Sequence, residues 1–337
     1  MKKIVRNLAL GLAGAATVVF SANGAEWRFN NPLPETRPES KEFELFAEEV
    51  TKNTGGDITM KVYSGGSLGL KNTDVLRFLP KGAVDISMVW ANYLGRDAPA
   101  LGTVFIQGSI GTVEELNKAL PVVRQIYEEE FAKWDVVATG YVALPMLEAS
   151  IFCRDEPIRT LAALKSKKLR VWAKDQVESF TRLGISAQII PQEEMYVALK
   201  TGVVDCAVYP ALYAHTVSLQ EVAKYAAFLY PMASGPYILG VAKKKWDKVS
   251  DKNKAVIVAA GKKVWDRTNS YADDHDRELA ARKKLQGMSD LQWLEDFPAA
   301  DRKLFVEAVA ETWKLLADEA GGKAPEYRQR VLDVLGR

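Results

Sequence analysis

The sequence predicts an α/β protein of two lobes with parallel-rich sheets, and three observations carry that reading. Short β-like stretches alternate with helix-like ones, the pattern of parallel sheets covered on both faces. A helix–glycine–strand unit is written twice, as KGAVDISMVW at residues 81–90 and TGVVDCAVYP at residues 201–210. Each copy puts a glycine where a left-handed helix cap needs one. The chain has 337 residues, enough for two domains, and its 48% hydrophobic and 26% charged residues suit a packed core rather than a disordered chain.

Residues 1–25 run from the charged MKKIVRN through the apolar LALGLAGAATVVF to the small residues SANGA. That order is a secretory signal peptide, with cleavage expected after Gly24 or Ala25. The apolar run is too short to span a bilayer, and no cysteine lies near it to take a lipid. Removing Lys2, Lys3 and Arg6 and no acid lowers the net charge of +2 by three units, to −1. No basic patch remains for nucleic acid, and no later apolar run reaches membrane-spanning length. The expected product is soluble, exported and periplasmic.

Residues 26–29 read as a strand and residues 40–53 as a helix with Phe43, Phe46 and Val50 on one face. Residues 58–64 alternate as a strand and end in SGGSLG. A helix closes over 74–79, Gly82 stops it, and AVDISMVW is the next strand. Thr112 and Glu115 make a capping box ahead of a helix carrying Leu116, Leu120, Val123, Tyr127 and Phe131. Two strands follow, VVATGYVAL and ASIFCR. The rhythm then continues as strand KKLRVWA, helix QVESFTRLG, strand AQIIP, helix EEMYVALKTG and strand VVDCAVYP. Residues 252–286 read as one helix capped by Ser250, about 50 Å long and so reaching across both lobes. A helix over 301–319 and a tail helix to Arg337 complete the chain. Cys153 and Cys206 are the two cysteines; export permits a disulfide, but two separate buried small residues are the preferred reading.

Catalytic patterns are sparse. GGSLG at residues 65–69 matches the nucleophile pattern G-x-S-x-G, with Ser67 as nucleophile and His215 or His275 as base. A secreted serine hydrolase is therefore the alternative reading. Two histidines and two cysteines without ligand spacing leave no metal site, and no phosphate loop is present. Glu193 and Glu194 open a helix, where acids complement the dipole. Arg170 stands out. It lies inside a strand between Leu169 and Val171 and points away from both. A guanidinium there wants a bidentate anion, either a protein carboxylate or a ligand's.

The leader, KVYSGGSLG, GAVDIS, LAALKSKKLRV, PQEEMYVALKTGVVDCA and the long helix, in that order, resemble the extracytoplasmic solute-binding subunits of TRAP (tripartite ATP-independent periplasmic) transporters over essentially the whole mature chain. The resemblance implies two α/β lobes joined by crossing strands and a long helix, closing on a ligand. It implies that Arg170 grips a ligand carboxylate, and that the protein hands this ligand to a membrane permease and catalyses nothing. No cofactor is implied, and a monomer is expected. The first lobe would hold residues 26–145 and about 236–270, the second 146–235 and about 271–337, with helix 252–286 shared.

The chain also departs from the family pattern. V-D-C-A-V-Y-P stands where relatives read V-D-G-x-E-N-P, so Cys206 replaces a glycine and Tyr209 an asparagine that commonly touches ligand. Trp90 lies where some relatives place a polar contact, Trp172 follows the arginine, and Gln192 opens the helix before Tyr196. The loop NNPLPETRPES brings Asn31 or Arg37 toward the cleft. A retained anchor among aromatic residues favours an apolar or aromatic monocarboxylate over a C4-dicarboxylate or sialic acid, with Tyr209 facing it across from Trp90. A binding subunit that serves a sensor is an open variant of the same reading.

Overall fold

The computed structural model describes residues 25–337, so the expected leader up to Gly24 lies outside the described residues. In chain order the strands are β1 (Ala25–Asn30), β2 (Ile58–Tyr63), β3 (Ile86–Val89), β4 (Val136–Val142), β5 (Glu148–Cys153), β6 (Lys168–Val171), β7 (Ser186–Ile189), β8 (Cys206–Pro210), β9 (Tyr225–Pro231), β10 (Tyr237–Ala242) and β11 (Gln292–Trp293). They form two sheets, one in each lobe, ordered β2-β1-β3-β10-β4 and β11-β9-β5-β8-β6-β7.

Both sheets are mixed, for a reason of connectivity. Strands joined by helices within a lobe run parallel, as β1 does to β2 and β3, and β6 to β7 and β8. Strands that enter from the other lobe run antiparallel, as β10 does to β3 and β4, and β5 to β8. The chain crosses between the sheets at residues 143–147 and again at 232–236. These two crossings are tied together, since Met232 N donates to Leu147 O at 2.7 Å.

The repeated unit has the same job in both lobes. Gly82 and Gly202 share a φ of 78°, the left-handed cap. Asp85 Oδ2 accepts from Arg28 N at 2.8 Å, and Asp205 Oδ2 accepts from Lys168 N at 2.8 Å. The Asp85 and Asp205 amides donate back to the carbonyls of Arg28 and Lys168. Each aspartate thus stitches the start of its strand to a parallel neighbour, which fixes the register of the strand that points at the cleft.

The helix expected over 252–286 is two helices, Asp251–Thr268 and Asp274–Met288. Thr268, Asn269 and Ser270 prefer caps and turns to helix interiors. The break makes a third crossing, pinned to the first: Ala143 N donates to Thr268 Oγ1 at 3.0 Å and Met146 N to Asp274 Oδ2 at 2.7 Å. On the first-lobe side, Gly261 lets helix and strand touch backbone to backbone. A Cβ there would lie 2.2 Å from the Thr139 carbonyl oxygen.

The C-terminal helices also part from the expected boundary. Helix Ala299–Ala320 braces both lobes: Phe305 packs on Phe180 with ring centroids 5.4 Å apart, while Trp313 Nε1 donates to Thr103 O at 2.7 Å. Helix Ala324–Leu335, expected in the second lobe, returns to the first. It buries Tyr327 and Val331 there, and Tyr327 OH donates to Glu130 Oε1 at 2.6 Å. Cys153 and Cys206 form a disulfide, against the preferred reading of two separate buried residues, because the antiparallel β5–β8 register sets them directly opposite each other.

Asp175, in the first turn of helix Lys174–Arg182, reaches from the second lobe to the first, accepting from Gln107 N at 2.7 Å. Burial raises its pKa to about 6 against the lowering effect of backbone N–H groups. The folded protein therefore binds this proton more tightly than the unfolded chain, and stability falls as pH rises from the ordinary aspartate value of 3.8 to about 6. We expect the wild-type melting temperature to drop through that window relative to Asp175→Asn. Paired thermal melts from pH 4 to 7.5 check it; a constant difference across the range contradicts it.

Candidate functional site

Between the two sheets lies a cavity of about 70 Å³, measured as the space open to the centre of a water-sized sphere. Its walls are largely aromatic. Trp90, Tyr93 and Tyr237 come from the first lobe, and Trp172, Tyr209 and Tyr213 from the second. Leu33, Met88, Leu144 and Leu147 fill between them. Trp90 leaves the end of β3 with its amide held by Asn72 Oδ1 at 3.0 Å. Its ring meets Tyr93 at 4.5 Å and Tyr237 at 6.1 Å, both edge to face. Tyr209 is carried by β8, directly beside the strand that carries Arg170. Trp90 and Tyr209 thus line one cavity from opposite lobes.

Arg170 is 1% exposed on β6. Its Nε donates to Ile190 O at 2.9 Å and its Nη1 to Val208 O at 3.2 Å. Among the described residues no carboxylate pairs with it, and Nη2 has no protein acceptor. The guanidinium carbon lies 5.6 Å from the Trp172 ring and 5.8 Å from that of Tyr209. Burial lowers its pKa from the usual arginine value, against the raising influence of Tyr93, Tyr209 and Glu193. A buried cation held by two carbonyls keeps its charge at a cost that an arriving anion removes. The indole N–H groups of Trp90 and Trp172, both cavity residues, are also buried without partners.

The second guanidinium at the cavity, Arg37, is in the opposite condition. Its Nε donates to Glu39 Oε2 at 2.9 Å and its Nη2 to Glu39 Oε1 at 3.3 Å. It stacks 3.4 Å over the Tyr213 ring, whose hydroxyl also donates to Glu39 Oε1. Burial alone would raise the Glu39 pKa, but the charge and hydrogen bonds of Arg37, with the Tyr213 hydroxyl, hold it below the ordinary value. Arg37 Nη1 also reaches Gln192 Oε1 at 3.4 Å, which accepts from Tyr209 OH at 2.7 Å. Arg37 and Glu39 belong to the first lobe, and Tyr213, Gln192 and Tyr209 to the second, so this cluster clasps the lobes shut.

Of the residues expected at the site, Arg170, Tyr209, Trp90, Trp172 and Gln192 line the cavity, as does Arg37. Asn31 does not. It is buried in the first-lobe loop, giving its amide hydrogens to Ser40 and Ser64 and accepting from Leu33 N, so it shapes the loop that carries Arg37. Tyr93, Tyr213, Tyr237 and Glu39 were not predicted. Each reads locally as core or helix-start chemistry, and only the approach of the two lobes exposes its role. Ser67 sits exposed in the turn after β2. Neither histidine bonds to it: His275 Nδ1 is paired with Glu148, and His215 is half-buried on the second lobe. The hydrolase constellation is therefore not assembled among the described residues.

Among the described residues no helix is long and apolar enough to cross a membrane. The model of the bacterial extracellular solute-binding protein family 7, DctP, matches residues 29–320. A solute-binding protein of Chromohalobacter salexigens is 25% identical over 252 residues, covering 74% of this chain and 73% of that one. The C4-dicarboxylate-binding periplasmic protein DctP of Rhodobacter capsulatus is 24% identical over 331 residues, covering 94% and 93%. Among solved structures, a TRAP periplasmic solute-binding protein from Sulfitobacter sp. NAS-14.1 with bound β-D-galacturonate superposes with a TM-score of 0.79 at 25% identity, covering 93% of this chain and all of that one. All three are named solute- or dicarboxylate-binding proteins, and the Rhodobacter and Sulfitobacter proteins are named as periplasmic. Two lobes on two mixed sheets, an interlobe cavity with a buried arginine, and a family match over most of the length agree: the chain belongs to family 7 of the bacterial extracellular solute-binding proteins, the TRAP periplasmic binding proteins of the DctP type.

Proposed function

We propose that this protein, exported as a monomer to the periplasm, captures a small apolar or aromatic monocarboxylate and delivers it to a TRAP membrane permease. Arg170 is the observation that carries the reading: a buried guanidinium with a free nitrogen, facing a cavity of aromatic rings. The charge count supports one carboxylate. Arg37 is neutralised by Glu39 and Glu193 stands exposed at the rim, so Arg170 is the uncompensated cation of the walls. The size supports a small acid, since only about 70 Å³ is open to the centre of a water-sized sphere. The walls favour rings and methylenes over a polyhydroxylated sugar, because most of them are aromatic or aliphatic and the Gln192 oxygen and the Ser234 hydroxyl are already engaged, with the Trp90 and Trp172 indole N–H groups left as free donors. The Sulfitobacter protein's ligand, a galacturonate, also carries a single carboxylate.

Thermal-shift screening against aliphatic and aromatic monocarboxylates, dicarboxylates and hexuronates tests this. A ligand at about 100 times its Kd stabilises by about 2.7 kcal/mol. We expect the largest shifts among monocarboxylates of one ring or a short chain. Silence with every carboxylate would overturn the reading.

A further inference from the structure

Two guanidiniums line one cavity, and they differ only in what holds them. Glu39 takes Arg37 through both of its oxygens, the fork-to-fork geometry that a ligand carboxylate would adopt. The pair is buried, at 3% and 5% side-chain exposure. Arg37 and Arg170 stand at the two ends of a short bridge: Arg37 reaches Gln192, Gln192 accepts from Tyr209, and the Tyr209 ring lies beside Arg170. A ligand long enough to touch both ends meets a cation at one and an ion pair at the other. A second ligand carboxylate there would set two anions on one guanidinium in a site with little water, where like charges repel strongly.

We infer that Glu39 is a resident counter-carboxylate that sets the charge of the accepted ligand: with Glu39 ionised the cavity takes monoanions, and with it neutral Arg37 becomes a second anchor for dicarboxylates. This rests on the carboxylate-binding reading above. Glu39 would then determine specificity without touching the ligand, by occupying the group that would otherwise read the ligand's far end.

The test is calorimetric titration of matched pairs that differ by one carboxylate, namely butyrate with succinate, hexanoate with adipate and benzoate with isophthalate. Wild type should favour the monocarboxylate of a bound pair at least tenfold. In Glu39→Gln, which keeps the shape and an acceptor for Tyr213, the dicarboxylate-to-monocarboxylate affinity ratio should rise at least tenfold. The double variant Arg37→Met/Glu39→Gln should lose that gain. A folded Glu39→Gln protein that binds a monocarboxylate with an unchanged ratio overturns the inference and leaves the carboxylate reading standing. Wild type that binds a dicarboxylate as tightly as its partner overturns it without any variant. Failure of wild type to bind any probe overturns the carboxylate reading and the inference together.

Discussion

Arg170→Ala binds its carboxylate ligand at least a hundredfold more weakly than wild type and still folds. The side chain is 1% exposed, and its charge has no protein counter-ion among the described residues. Losing one partner of a buried, hydrogen-bonded charge pair costs about 3–5 kcal/mol, and each 1.4 kcal/mol is about tenfold in affinity. The fold survives because what the substitution takes away from the protein is two hydrogen bonds to the Ile190 and Val208 carbonyls and no ion pair. Arg170→Lys should fail nearly as badly. An ammonium on a flexible stem cannot hold two carbonyls and present a planar fork to a carboxylate at once. Isothermal titration with the best acid from the thermal-shift panel reads the affinity, and a melting curve without ligand reads the fold. Near-normal binding by Arg170→Ala would remove Arg170 as the anchor.

Opening the Cys153–Cys206 disulfide should cost about 2–4 kcal/mol. The bond closes 53 residues of chain, and the loop-entropy relation gives about 4 kcal/mol for that length. The loop is the centre of the second lobe: it contains β6 and β7 and ends where β8 begins. Ala207 of β8 pairs with Arg170 of β6, so the bridge also steadies the strands beneath the anchor. Urea unfolding of Cys153→Ala/Cys206→Ala should show a lower midpoint, and reductant should move wild type toward it while leaving the variant unmoved. Coincident curves in all four conditions would show that the bond carries no stability.

Elements with a clean period were legible in the sequence. The helix with Phe43, Phe46 and Val50, the capped helix after Thr112 and the strands around both V-D units stand close to where periodicity places them. β9 and β10 were not, because YAAFLYP and YILGVA are apolar throughout and carry neither period. The long-helix reading failed on three residues, since Thr268, Asn269 and Ser270 weaken a helix without forbidding it. Arg170 was readable as a candidate cavity residue because a lone cation inside an apolar strand is an anomaly by itself. Arg37 was not readable in the same way. Its neutralisation by Glu39 is local, but the Tyr213 that seals the pair arrives 174 residues later. Nor does sequence show that Cys153 and Cys206 share a register, because pairing of distant strands is written in no single segment.

Helix Ala299–Ala320 has a mechanical consequence. Its 22 residues lie along the second lobe, through Phe305 on Phe180 and the Arg182–Glu311 and Lys174–Glu319 pairs, and reach the first lobe through Trp313. Parting the lobes would therefore break the Trp313–Thr103 hydrogen bond while the contacts to the second lobe stay in place. The three crossings, at 143–147, 232–236 and the helix break after Thr268, are bonded to one another, so a displacement of one is felt by the others. The crossings tie the lobes at one side of the cavity, and the Arg37–Glu39–Tyr213 cluster ties them again where the two lobes meet across it.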